Sequence, residues 1–240
     1  MNDNPHISRA FDRDLEAIEA MIMKMAGQVE EAIDQAATAM AAGDVELAEQ
    51  VRRRDRAIDE AELRVNEEAA RVIALRQPIA SDLRTVLTVF RISAALERIG
   101  DYAKNMAKRT AILAELNPIE GAAPSLRRMS KSVQAMLKDA LDAYVQRDAA
   151  LAVDVRDRDE EIDQLYNGLF RALLTHMMED PRNITACMHL HFIAKNIERM
   201  GDLVTGVAEQ VIYRVTGELP TEERTKADET STADFVRFQR

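Results

Sequence analysis

The chain has no Trp, a single Cys, four Tyr and six Phe, and only eight Gly and six Pro in 240 residues. With Cys187 alone no intrachain disulfide can form, so a reducing, cytoplasmic setting is expected, and Cys187 itself reads as a small buried apolar residue. No uncharged apolar run approaches the ~18 residues of a membrane span. The N-terminus, MNDNPHISRAFDRDL, carries charge where an export signal needs an apolar stretch. Any association with a membrane is therefore expected to go through a membrane protein. There is no Gly-rich phosphate loop and no nucleophile elbow. Basic excess is also lacking: the formal net charge is −10, which argues against a nucleic-acid partner and suits cations or basic protein surfaces.

What is present is Ala, Leu, Met, Glu, Asp and Arg, a helical composition that is 47% hydrophobic. From Ser8 the apolar residues Phe11, Leu15, Ile18, Ile22, Met25, Val29, Ile33 and Ala36 recur at spacings of three and four, which predicts a helix ending near Ala42. Gly43 and Asp44 read as a stop and an N-cap for a second helix from Val45 to about Arg76, close to 50 Å long at roughly 1.5 Å per residue. Pro78 closes it. Ser81 or Asp82 is expected to cap a third helix carrying Val86, Val89, Phe90, Ile92, Leu96, Ile99, Ala103 and Met106.

The same events then recur. At an offset of 104, Asp44, Leu47, Ala48, Val51, Arg52, Arg54, Asp55, Ile58 and Asp59 match Asp148, Leu151, Ala152, Val155, Arg156, Arg158, Asp159, Ile162 and Asp163 identically. LERIGDYAKNMA, from Leu96 to Ala107, returns at an offset of 101 as IERMGDLVTGVA, from Ile197 to Ala208. The expected fold is therefore all-α, two tandem antiparallel three-helix bundles with six long helices. The breakers from Asn117 to Pro124 place the units at residues 1–116 and 117–215. Residues 216–240, polar and aperiodic, read as a disordered tail.

Each half holds two acid pairs at i,i+4 spacing: Asp55/Asp59 with Glu97/Asp101, and Asp159/Asp163 with Glu198/Asp202. A like-charge pair of this kind costs roughly 0.2–0.5 kcal/mol in an isolated helix, so its recurrence asks for something that offsets the repulsion. Asp59 lies 19 residues before Pro78 and Glu97 lies 19 after it; Asp163 lies 18 before Pro181 and Glu198 lies 17 after. Near-equal distances from each turn bring four carboxylates to one height per repeat. Oxygen-only clusters suit hard cations such as Mg²⁺, Ca²⁺, Mn²⁺ and Fe³⁺. The competing reading is that the acids face solvent and pair with Arg52, Arg56, Arg98 and their counterparts. Gly100 and Gly201 cost helix propensity, roughly 1 kcal/mol each, and so mark a close approach by a helix or a ligand. Asn105 extends the first acid face, but its counterpart is Gly206. His6, His176, His189 and His191 complete no Glu-x-x-His, so the ligand set of ferritin-like di-iron proteins is missing.

RQPIASDLRTVLTVFRISAALERIGDYAKNMA from Arg76, the second copy HFIAKNIERMGDLVTGVA, and the opening PHISRAFDRDLEAIEAMIMKM together closely resemble the PhoU family. The resemblance runs up to about Val215. It implies two three-helix bundles side by side and multinuclear iron or zinc clusters, Mg or Mn not being excluded. It places their ligands at Asp55, Asp59, Glu97, Asp101, Asp159, Asp163, Glu198 and Asp202. It further implies a cytoplasmic, non-enzymatic negative regulator of phosphate homeostasis, homodimeric, that links the ATPase subunit of a phosphate ABC transporter to a phosphate-sensing histidine kinase. The readings left beside it are a metal-dependent enzyme or metal-storage bundle, and a purely structural bundle with solvated acids.

Overall fold

The computed structural model describes residues 5–220, with side chains from residue 10 onward. Its first unit is α1 (Pro5–Ala42), α2 (Val45–Arg76) and α3 (Ala80–Leu113). Its second is α4 (Ala122–Gln146), α5 (Ala149–Asp157), α6 (Asp159–Glu179), a 3₁₀ turn (Pro181–Asn183) and α7 (Ile184–Thr216). α5 and α6 are one long helix interrupted at Arg158, so the described residues form six long helices, as the periodicity predicts. The interruption is a local tightening. Arg158 N–H still donates to the Asp154 carbonyl, but the Arg158 carbonyl accepts from Glu161, three residues on. The sequence explains the difference between the repeats. Asp159, Glu160 and Glu161 form an acidic first turn, which favours a new helix N-terminus, whereas the counterparts are Asp55, Arg56 and Ala57.

Asp44 and Asp148 cap the second helix of each unit, accepting from Leu47 N–H and from Ala150 and Leu151 N–H. The third helix departs from expectation. Neither Ser81 nor Asp82 caps it; Ile79 holds the cap position in extended geometry with no side-chain bond. Gln77, at φ 47°, ends α2 in the left-handed region, and its N–H reaches the Ile73 carbonyl. That reversal puts the helix start two residues earlier than a Ser or Asp cap would allow. In the second unit Asp180 makes the turn, accepting from Arg182 N–H ahead of α7.

The apolar stripe predicted for α1 is buried throughout, from Phe11 to Ala36. So is that of α3, except that Phe90 is half-buried against the core. Cys187 is fully buried. α1 packs on α2, α3 and α4, and α3 packs on α7, so one continuous core runs through both units. The units are related by an approximate two-fold axis. Gln134 Nε2 donates to the Glu30 carbonyl at 3.1 Å, and residues 30 and 134 are counterparts at the offset of 104. Along the antiparallel α3 and α7, Arg109 stacks on Phe192 at one end and Arg84 on Tyr213 at the other. The two Glu-Arg-x-Gly-Asp copies lie between these contacts, side by side. Among the described residues no helix is long and apolar enough to cross a membrane. Of the tail predicted to be disordered, residues 221–240 lie outside the described residues.

Candidate metal centre

Two glycines set the spacing of the helices that carry the acids. A Cβ on Gly100 would stand 3.0 Å from Ile58 Cδ1 and 3.9 Å from Asp55 Oδ1. One on Gly201 would stand 2.9 Å from Asp159 Oδ1 and 3.1 Å from Ile162 Cδ1. Each glycine thus admits the neighbouring helix and draws the first aspartate of each repeat against the Glu-x-x-x-Asp face. Gly206 meets nothing within 4 Å and serves no such contact.

In the first unit, Asp55 is buried while Asp59, Glu97 and Asp101 are half-buried. Burial, and after it the charges of Asp101, Glu62, Asp59 and Asp55, together push the Glu97 carboxyl up to about 7. The other three predicted acids therefore all act on Glu97, and a fifth, Glu62, joins them. Glu62 was legible in principle, since it follows Asp59 by three residues on the same helix face. The charge that offsets the repulsion is Lys104. Its Nζ lies 2.5 Å from Asp55 Oδ2 and 3.1 Å from Asp101 Oδ1, bridging α2 and α3, and the bond to Asp55 holds it protonated above the ordinary lysine value. Burial pushes the Asp55 carboxyl up, and Lys104 pulls it back. Of the arginines expected as partners, Arg52 pairs with Glu49, and Arg56 with Glu60 at 3.0 Å. A cleft of about 320 Å³ between α1 and α2 opens onto Asp55.

In the second unit Asp159, Asp163 and Glu198 are buried and Asp202 is half-buried. Lys195 supplies the cation, with Nζ 2.9 Å from Glu198 Oε1 and 5.0 Å from the centre of the Tyr166 ring. Tyr166 is the counterpart of Glu62, so this cluster has an aromatic face where the first has a fifth carboxylate. Among the described residues, neither His189 nor His191 has a hydrogen bond or ion pair to the acids of either cluster, although His191 borders the second cluster through Tyr166. His189 accepts a hydrogen bond from Arg109 at 3.0 Å, and His191 packs among Tyr166, Phe170 and Phe192. Burial pushes both imidazoles below the ordinary value. His176 lies 3.8 Å from Glu179; the side chain of His6 lies outside the described residues.

The donor chemistry fits a hard cation, since carboxylate oxygens line both clusters and a positive group already lodges in each. As the side chains stand, no three of Asp, Glu, His or Cys among the described residues converge to hold an ion. In the first cluster the ammonium of Lys104 lies between Asp55 and Asp101.

Residues 22–110 and 126–211 each match the model of a single family, the PhoU domain. The chain belongs to the PhoU family. Its PhoU relatives match over nearly its whole length. It is 45% identical to the phosphate-specific transport system accessory protein PhoU homolog of Rhizobium meliloti (strain 1021), over 96% of this chain and 98% of that one. It is 44% identical to the homolog of Caulobacter vibrioides, over 93% and 97%. Among solved structures, PhoU from Pseudomonas aeruginosa superposes with a TM-score of 0.83 at 38% identity, covering 87% of this chain and all of that one. The phosphate transport system regulatory protein PhoU from Streptococcus pneumoniae gives 0.82 at 30% identity, over 88% of this chain. The two PhoU matches coincide with the two three-helix halves, so the duplication read from the acids is the family's own domain repeated.

Proposed function

We propose that this protein is a non-enzymatic accessory regulator of phosphate transport that couples the state of a phosphate ABC transporter, through its ATPase subunit, to a phosphate-sensing histidine kinase. The observation that carries the reading is the match of both halves to the PhoU domain, together with relatives named as phosphate-specific transport system accessory proteins over almost their full length. The architecture suits an adaptor. Two pseudo-equivalent faces on one rigid bundle allow two partners to be engaged at once, and regulation then requires different affinities for two states of a partner. The action is cytoplasmic and negative on the phosphate-starvation response, and the chain, with its two repeat units at residues 1–116 and 117–215, works as a homodimer. In the same reading Asp55, Asp59, Glu97 and Asp101, and Asp159, Asp163, Glu198 and Asp202, hold iron or zinc clusters, with Mg or Mn as alternatives. Such a cation would neutralise each acid quartet and lock its two helices together. Deletion of the gene in the source bacterium, followed by an alkaline phosphatase assay in high phosphate, tests the regulatory role. Derepressed phosphatase is expected; normal repression overturns it.

A further inference from the structure

The acids repeat at the duplication offsets, but the cations in them do not. Lys104 has Thr205 as its counterpart, and Lys195 has Ala94. Each repeat has therefore placed a lysine in its acid quartet from a different position and a different turn of the third helix. One follows Asp101 by three residues and the other precedes Glu198 by three. Two independent placements have the same outcome, an ammonium group on the acids of each quartet: Lys104 on Asp55 and Asp101, Lys195 on Glu198. Lys104 makes its bonds to α2 and α3 at once, while its side chain stays 39% exposed, so the ammonium can swing outward along its flexible stem. Lys195, 27% exposed, has the same freedom at the other quartet.

We infer that Lys104 and Lys195 are tethered counter-cations that compete with metal for the acid quartets, so that metal uptake releases two ammonium groups to the surface. This rests on the metal reading above. The lysines set the threshold concentration at which each quartet loads. Loading also changes the surface, because a lysine clamped between carboxylates becomes a free positive charge beside a neutralised cluster. A partner could then distinguish the loaded from the unloaded state by charge alone.

The test isolates the first quartet. In a Glu198→Ala/Asp202→Ala background, Zn²⁺ and Mn²⁺ are titrated separately into chains with Lys104, Lys104→Met and Lys104→Arg. Lys104→Met is expected to bind at least one of these ions ten-fold or more tightly than the parent, and Lys104→Arg to stay near the parent. A lysine that merely supported the fold would move affinity the other way on removal. A second measurement needs no variant: acetylation of the wild-type chain, read by mass spectrometry, should rise several-fold at Lys104 and Lys195 on saturation with the ion and stay constant at exposed Lys24. Metal binding with unchanged affinity in Lys104→Met and unchanged acetylation overturns the role of the lysines alone. No binding of either ion to any of the chains, wild type included, removes the metal reading with it.

Discussion

At the scale of single residues, Glu97 is a carboxyl whose protonation is set by burial and by the acids around it. In the unfolded chain it releases its proton near 4.5; in the folded protein it does so at about 7. Folding therefore takes up a proton between these values, and the contribution of Glu97 to stability is full below about pH 4.5 and is lost as the pH rises through about 7. With chelator present, Glu97→Gln should leave the melting temperature almost unchanged at pH 5 and raise it at pH 8. Allowing for the solvent screening of a half-buried group, the gain is about 1 kcal/mol, or roughly 2–4 °C for a chain of this size. Equal shifts at the two pH values would show that Glu97 does not carry the repulsion. The residue scale is also where the sequence was least readable. Asp55, Asp59, Glu97 and Asp101 could be selected because they recur; Lys104 and Lys195 could not, because a repeat comparison discards what occurs once. The repeat comparison passes over Glu62 for the same reason, its counterpart being Tyr166, and only its spacing to Asp59 points to it.

At the scale of the elements, most boundaries were legible because their signals are local. Asp44 and Asp148 cap helices by bonding to N–H groups two or three residues on, and such spacing is visible in the chain. The start of α3 was not, since it depends on Gln77 and Ala80 adopting positive φ values that only the packed hairpin imposes. The interruption at Arg158 lies between these cases: its cause, an acidic run opening a helix, is written in the sequence but was masked by apolar periodicity that continues across it. Arg158 is also held from outside its helix, by Asp139 of α4 at 2.6 Å. Copying the first repeat into the second, with Glu160→Arg and Glu161→Ala, should remove the reason for a new N-terminus and join α5 to α6. Amide exchange at residues 158–161 is then expected to slow by an order of magnitude or so, towards that of residues 54–57. Unchanged exchange would place the cause in the Asp139 contact.

For the whole molecule, the question is whether the two units behave as one. The apolar pattern shows two repeats and says nothing about what joins them, since any amphipathic helix can bury its stripe within its own unit or against another. The structure supplies the join. α1 meets α4, α3 meets α7, and at one end a charged contact crosses between units: Arg214 of α7, 3% exposed, lies 2.5 Å from Glu19 of α1 and donates to the Tyr144 carbonyl of α4, its guanidinium stacked on the Tyr144 ring. Burial and the neighbouring Glu19 keep the Tyr144 hydroxyl protonated, its pKa pushed up to about 12. The contact has no equivalent at the other end, where the counterparts of Arg214 and Tyr144 are Leu113 and Met40. Truncating one partner of a buried ion pair strands the other, at a cost of about 3 kcal/mol or more. Glu19→Ala should therefore lower the urea midpoint substantially. Because Glu19 belongs to the first unit and Arg214 to the second, the form of the curve is as informative as its position. With a single core, wild type and variant should each unfold in one transition that coincides by far-ultraviolet dichroism and by tyrosine fluorescence, displaced as a whole in the variant. Two resolved transitions, with only one displaced, would mean that each repeat is stable on its own and that the seam between them is a contact of separate domains.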